Sequence, residues 1–367
     1  MRRFLIAISA FLLTGLATAP ATASGVAAPA GPTLYVTNAN SDTIAVFTIT
    51  GTGDLRPLGE PVPTADQPRG IVLAPGGDVA YVENGDAHLI SSYRVGARGE
   101  LTLIARTPTA GYPFGIAVSP RGDAVYVTNL EEATVSVFVV RYDGSLEPRG
   151  TPLPVGDGTL SARGIAASPD GRYVFVGTGD PFDPTPGALT TLEVRPDHTL
   201  AHLSTTPIGP GALGIGVSPS SRFVYVACSG TDDIRPFRIG PNGQLTPLPV
   251  ASAPDLPVSA EISRDGRLMF VASRSVEGGT PRGVWVFTIR ADGTLRPVGD
   301  APTPAGGAPV WPAATPDGRH LYVTNEDTSG KVFGFDLSAA GVLTPLAGSP
   351  FPARGEFSMF QSVAVRG

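Results

Sequence analysis

Residues 115–129 read GIAVSPRGDAVYVTN, and this pattern returns five more times along the 367-residue chain. Close copies start at Gly70, Gly164 and Gly214, and two degenerate copies start at Ser259 and Trp311. The starts lie 45, 49, 50, 45 and 52 residues apart. A regular period of roughly 20 to 50 residues is typical of architectures built from one repeated supersecondary unit. The sequence therefore predicts a single repeat domain instead of several unrelated ones.

Each repeat contains four runs that favour β-strands. In the copy that starts at Gly115 we predict strands at residues 116–119, 124–129, 134–140 and 146–148. These runs are rich in β-branched and aromatic residues, and Gly, Pro or Asp separate them. Tight hairpins need a positive φ, which the glycine of Asp143-Gly144 supplies. One repeat thus predicts one four-stranded antiparallel blade.

The two ends of the sequence each hold part of a repeat. Residues 33–38 (TLYVTN) match a second strand without its first, and residues 361–365 (QSVAV) match a first strand without its second. If the C-terminal strand completes the N-terminal blade, the ring closes and exposes no sheet edge. Counting that strand gives seven first strands, so we predict one all-β domain, a seven-bladed β-propeller, over residues 33–367. Such a ring needs no partner, so we expect a monomer.

Residues 1–23 are typical of a secretory signal peptide. Arg2 and Arg3 precede an apolar run at residues 4–16, and the small residues 21–23 (ATA) follow it. We expect cleavage before Ser24, a short linker at residues 24–32, and a secreted, extracellular protein without a membrane span after cleavage. An uncleaved membrane anchor is the alternative.

Charge and cysteine content narrow the range of partners. Without residues 1–23 the chain has 24 basic and 32 acidic residues, a formal charge of −8. This balance disfavours binding to nucleic acid or to anionic membranes. Cys228 is the one cysteine, so no intramolecular disulfide can form, and we expect it to be buried near a strand end.

The tetrapeptide YVTN occurs at residues 35–38, 126–129 and 322–325, and SPDG-type turns stand before its copies. This repeat resembles that of the YVTN repeat proteins. The segment VWVFTIRADGTLRPVG at residues 284–299 is similar to one in the seven-bladed lactonase-type propellers, which include propeller 6-phosphogluconolactonases and carboxymuconate-lactonising enzymes. The resemblance covers residues 33–366 and implies both the propeller fold and lactone chemistry.

Active members of that family typically carry a Gly-Pro-Arg-His segment before a first strand and an Asn-Glu pair after the next strand. The pair is present here as Asn325-Glu326. The segment is absent, because none of the four histidines directly precedes a predicted first strand: His88, His198, His202 and His320.

The residues just before the predicted first strands share one end of the central channel: Arg69, Phe114, Arg163, Leu213, Val258, Val310 and Gln361. Function in a rigid scaffold is expected at such loop ends. Arg69, Phe114 and Arg163 predict a binding cluster for an anionic or carboxylate-bearing ligand. The alternative is that both arginines are solvated on loops. Trp311, at the same end, is a candidate for ligand stacking or for core filling.

Glu261 occupies a first-strand position at which the other blades have Val, Ala or Gly. A carboxylate close to the channel axis must be paired, hydrated or shifted in pKa. We predict that Glu261 is a catalytic general base, or that it holds the cation or hydroxyl of a ligand. The alternative is an ion pair with Arg274, which we also include among the ligand-binding candidates.

The sequence contains no zinc pattern, no nucleophile elbow and no phosphate-binding glycine loop, so we expect no metal or cofactor. Calcium stays an open alternative. The loops between second and third strands are acidic, for example at Glu83 and Asp86, and residues 38–42 (NANSD) alternate side-chain oxygens that calcium accepts. Surface charge that maintains solubility also accounts for these residues.

Two functions remain open. Because the Gly-Pro-Arg-His segment is missing, the sequence favours a secreted binding module whose channel-mouth loops hold a small molecule, a cell-wall component or a protein. The alternative is a lactonase for a sugar or aliphatic lactone, in which Arg69 and Arg163 polarise the carbonyl and Glu261 activates water.

Overall fold

A computed structural model describes residues 31–156, 160–254, 256–274 and 282–367. The predicted signal peptide and nearly all of the predicted linker lie outside the described residues. The described residues form seven antiparallel sheets, and the first strands of neighbouring sheets contact each other around a closed ring. The predicted all-β, seven-bladed propeller is therefore confirmed. No helix in the described part of the chain has the length and apolar character needed to cross a bilayer.

We number the blades 1 to 7 around the ring, from the blade that holds both chain ends. The first strands surround the channel: Val363–Arg366, Pro68–Leu73, Pro113–Val118, Ala162–Ala167, Ala212–Val217, Glu261–Ile262 and Pro309–Ala314. The second strands pack outside them: Thr33–Asn38, Val79–Asn84, Ala124–Asn129, Tyr173–Thr178, Phe223–Cys228, Leu268–Ser273 and His320–Asn325. The third strands follow: Thr43–Ile49, Leu89–Val95, Thr134–Val140, Ala188–Val194, Asp233–Ile239, Gly283–Ile289 and Lys331–Leu337.

The fourth strand is continuous in two blades, as Leu101–Pro108 in blade 2 and Leu200–Pro207 in blade 4. In the other five it is split into two short strands that both pair with the third strand. Proline cannot donate to a strand ladder, and every one of the first pieces ends at a proline. The split pairs are Leu55–Pro57 with Val62–Pro63, Leu146–Pro148 with Leu153–Pro154, Leu245–Pro247 with Ala251–Ser252, Leu295–Pro297 with Thr303–Pro304, and Leu343–Pro345 with Phe351–Pro352. One short 3₁₀ helix, Ala39–Ser41, follows the second strand of blade 1.

The chain ends close the ring as the sequence predicts. Val363–Arg366 pairs antiparallel with Thr33–Asn38, from Thr33 opposite Arg366 to Val36 opposite Val363. The strand predictions for blade 3 are also confirmed for its second, third and fourth strands. Its first strand begins earlier than predicted, at Pro113, because a β-bulge at Phe114 lets pairing continue past Gly115.

The threonine of YVTN joins neighbouring blades. Thr37 Oγ1 donates to the Arg69 carbonyl of blade 2 at 2.6 Å, and Thr128 Oγ1 donates to the Arg163 carbonyl of blade 4 at 2.8 Å. Thr128 also accepts the backbone N–H of Gly115 at 2.9 Å. Each hydroxyl is buried, so it satisfies a carbonyl that water does not reach.

The tyrosine and the glycine of the repeat also contribute to the contact between neighbouring blades. Tyr35 Oη donates to the Gly99 carbonyl of the next blade at 3.0 Å, and Tyr322 Oη donates to that of Gly53 at 2.6 Å. A Cβ on Gly115 would stand 2.6 Å from the Arg163 carbonyl oxygen, so glycine is needed for the close approach of the two first strands. Cys228 ends its strand and is fully buried, as expected, and burial raises the pKa of its thiol to about 12.

Replacing Thr128 by Val removes the hydroxyl and leaves the Arg163 carbonyl without its donor. We predict a loss of about 1–2 kcal/mol in the free energy of unfolding, measured by chemical denaturation. The control is Thr102→Val, at an exposed position of the fourth strand of blade 2, which changes the free energy of unfolding little. Equal stability of the two variants would contradict the role of this hydrogen bond.

Candidate functional site

Five of the seven first strands begin with a β-bulge at the end of the channel where these strands start. In blade 3, Pro113 pairs with Asn129 and Gly115 with Thr128, which leaves Phe114 as the extra residue. Comparable register shifts occur at the starts of four other first strands. We call this the arginine end of the channel. Its apolar floor is a cluster of buried side chains: Phe114, Leu213, Val258, Val310, Trp311 and Phe360.

Arg69 and Arg163 converge on one aromatic ring at this end. Their Cζ atoms lie 4.3 Å and 5.2 Å from the centre of the Phe114 ring. Arg69 is 6% exposed and the Arg163 side chain 13%, so the alternative of solvated loop arginines is wrong. The structure brings together these three predicted residues, and the threonine hydrogen bonds described above fix the backbone of both arginines.

The two guanidinium groups differ in their partners. Arg163 forms a 2.7 Å ion pair with Asp180, and burial lowers the pKa of Arg163, with Asp180 opposing this effect. Arg69 donates through Nη1 to Tyr112 Oη at 3.0 Å and to Met359 Sδ at 3.5 Å. It forms no salt bridge with any residue that the structure describes. A buried positive charge without a counter-charge attracts an anion or a partial negative charge.

Glu83 lies close enough to Arg69 for the two charges to interact. It is the fifth residue of the strand Val79–Asn84 and is fully buried, so its predicted place in an exposed loop is wrong. Neither carboxyl oxygen has a hydrogen-bond partner among the described residues. Burial raises the pKa of Glu83 to about 8, against the opposing effect of Arg69. A carboxyl whose pKa is raised in this way is a weaker counter-charge for Arg69 than a freely ionised one.

A second carboxylate stands at the arginine end in a more accessible position. Glu326 Oε2 lies 2.7 Å from Arg274 Nη1, and the Glu326 side chain is 16% exposed. Burial raises the pKa of Glu326, while Arg274 and then Arg69 act to lower it. The predicted pairing of Arg274 with Glu261 is thus wrong, because the partner of Arg274 is Glu326.

Glu261 lies deeper in the channel, away from the arginines. Val258 occupies in blade 6 the position that Arg69 occupies in blade 2. Glu261 comes three residues later, a distance of roughly 10 Å along an extended chain. Glu261 lines a cavity of about 340 Å³ that Arg69 and Arg163 do not line. Trp311, which belongs to the apolar floor, and Gln361 line this cavity too. The structure therefore does not combine Glu261 with Arg69 and Arg163 in one site.

Trp311 takes part in both regions. Its ring meets that of Phe360 at a centroid distance of 4.6 Å in an edge-to-face arrangement, and Trp311 also lines the cavity. Trp311 therefore fills the core and leaves one edge toward the channel.

At the loop considered for calcium, Asp42 Oδ1 accepts the backbone N–H of Gln67 at 2.8 Å. Within the described ranges, no three His, Cys, Asp or Glu side chains are grouped as metal ligands.

Sequence reasoning missed the roles of Glu83 and Glu326. A signal for Glu83 exists in the repeat itself, since Val82-Glu83-Asn84 places glutamate where other copies have the threonine of YVTN. Glu326 had a signal too, in the Asn-Glu pair. No pattern in the sequence indicates that Arg274 crosses from blade 6 to reach it.

Comparison with known proteins agrees with this architecture. The family model described as "Lactonase, 7-bladed beta-propeller" matches residues 12–116, 70–163 and 113–258, which together span more than half of the chain. The overlapping matches reflect the internal repeat. A search of curated proteins finds no match.

Solved structures share the fold at low sequence identity. A periplasmic gluconolactonase of Pseudomonas aeruginosa is 24% identical with a TM-score of 0.75, covering 92% of this chain and 99% of that one. A candidate 6-phosphogluconolactonase of Bacteroides fragilis is 19% identical with a TM-score of 0.76, covering 92% and 98%. Another from Bacteroides uniformis is 22% identical with a TM-score of 0.76, covering 91% and 99%. From the family match over most of the repeats, the chain belongs to the seven-bladed β-propeller lactonase family.

Proposed function

We propose that this protein is a secreted enzyme that hydrolyses a lactone at the arginine end of its channel. The observation that carries the proposal is the buried guanidinium of Arg69, which forms no salt bridge with a described residue and lies beside Arg163 above Phe114. Such a pair suits the carbonyl oxygen of a lactone, which becomes an oxyanion during hydrolysis. Family membership favours this function over the binding module that the missing Gly-Pro-Arg-His segment suggested.

In the proposed reaction, Arg69 and Arg163 donate to the carbonyl oxygen and stabilise the tetrahedral intermediate. Glu326 takes a proton from the attacking water, whose oxygen bonds to the carbonyl carbon. The bond from that carbon to the ring oxygen then breaks, and the proton held by Glu326 passes to the ring oxygen. Water and lactone thus give one hydroxy acid. Glu326 replaces Glu261 as the general base, because Glu261 lies away from both arginines.

Export is part of the proposal. The apolar segment behind Arg2 and Arg3 is typical of a signal peptide. The similar protein of Pseudomonas aeruginosa is described as periplasmic, which fits an exported lactonase of this fold. The substrate class is a sugar or aliphatic lactone.

Arg69→Ala and Arg163→Ala each lower kcat/KM for lactone hydrolysis by about 100-fold, because each removes a donor to the oxyanion. The assay follows acid release from a panel of sugar and aliphatic lactones. Arg222→Ala is the matched control, since Arg222 also lies over an aromatic ring, at 5.3 Å from the Phe223 centroid, but is exposed on a turn elsewhere. Wild-type rates in both arginine variants would contradict the mechanism. No activity on any lactone of the panel would favour the binding-module function instead.

The pH dependence of kcat/KM follows the ionisation of Glu326, because Glu326 must be ionised to accept a proton. Because burial raises its pKa above 4.5, kcat/KM falls as the pH drops through that raised value. Arg274→Gln removes the ion pair that opposes the rise, so the acidic limb moves to higher pH, and Glu326→Gln abolishes the limb together with most of the activity. A limb that stays in place in Arg274→Gln would show that another group is the base.

A further inference from the structure

The channel cavity is chemically unlike the arginine end. Most of its lining side chains are apolar and belong to the first strands, among them Ile71, Val118, Val363 and Val365, although polar atoms make up the larger part of its exposed surface. Leu73 and Val365, toward the other end of their strands, are half-buried, whereas the residues of the arginine-end floor are buried. Solvent therefore reaches these two side chains of the cavity lining. At about 340 Å³ it has the size of a small-molecule site.

Glu261 is the one titratable side chain in this lining. The ring of equivalent positions holds small residues, and among the described residues Glu261 has neither a hydrogen bond nor an ion pair. Its neighbours across the strand pair and the cavity are Phe270, Val72 and Ala313. Burial raises the pKa of Glu261 to about 7, although by exposed area the residue is only half-buried, so a cation beside it favours the ionised form.

The residues that line the cavity suit some classes of ligand better than others. An anion finds no positive charge in it. A calcium ion needs six to eight oxygen ligands, and the lining offers one carboxylate besides Gln361. The Gln361 side chain is already used, because Oε1 accepts the N–H of Ile116 and Nε2 donates to its carbonyl. An organic monocation needs one carboxylate for its charge and apolar side chains for its body, and the lining offers both, with the edge of the Trp311 ring beside them.

We propose that the channel is a second binding site, which takes a small organic ammonium ion with an apolar body, and that Glu261 binds its charge. The ammonium group donates hydrogen bonds to the Glu261 carboxylate, while the alkyl part contacts the valine and isoleucine side chains. Trp311 lies at the inner limit of the site. This site does not depend on lactone hydrolysis, so an inactive protein can still bind the ligand.

The test is isothermal titration of the mature protein with n-hexylammonium chloride, 1-hexanol and sodium hexanoate at pH 8. We expect one hexylammonium per chain, with affinity at least about tenfold above that for hexanol or hexanoate. Glu261→Gln lowers the hexylammonium affinity at least about tenfold. The matched control is Glu193→Gln, which removes the same charge from an exposed position on the third strand of blade 4 and leaves the affinity unchanged.

Fluorescence locates the ligand independently. The chain has two tryptophans, so Trp285→Phe leaves Trp311 as the reporter. Hexylammonium changes the Trp311 emission in this variant with the same dissociation constant as the calorimetry. Equal affinity for hexylammonium and hexanol, wild-type affinity in a folded Glu261→Gln variant, or no binding at millimolar ligand would each overturn the proposal.

Discussion

The hydrogen bond from a second-strand threonine to the first strand of the next blade is the constraint on which the rest of this structure depends. Thr37 and Thr128 donate to the carbonyls of Arg69 and Arg163, so the residues that join the blades also fix the two arginines. Gly115 and Gly164 allow neighbouring first strands to approach closely. Scaffold and site are therefore set by the same few backbone contacts, and the repeat motif has a functional consequence beyond folding.

Departures from the repeat produce the special chemistry. In blade 2 the threonine position holds Glu83, whose buried carboxyl has a raised pKa and forms no salt bridge with Arg69. In blade 6 the small residue of the channel ring is replaced by Glu261. The two substitutions give one channel two electrostatically different regions, with positive charge at one end and a carboxyl group farther in. Trp311 belongs to both regions, as part of the apolar floor and of the cavity lining.

Most of the fold could be predicted from the sequence, because a repeat fixes strand number, turn type and ring closure together. The bounds of three strands in blade 3 follow directly from the pattern of β-branched residues and Asp-Gly turns. The site was predicted in part. Arg69, Arg163 and Phe114 share a repeat position, so their convergence follows from the ring. The partner of Arg274 and the depth of Glu261 depend on side-chain reach across blades, on bulges and on burial, which a repeat pattern does not specify.

The most direct test of this account is a crystal structure of the protein with gluconate, the hydroxy-acid product of a sugar lactone. The proposed mechanism predicts that the gluconate carboxylate lies above the Phe114 ring, within hydrogen-bond distance of both Arg69 and Arg163, with Glu326 facing the same carboxyl carbon. Gluconate bound in the cavity beside Glu261, or at a site that touches neither arginine, would contradict it.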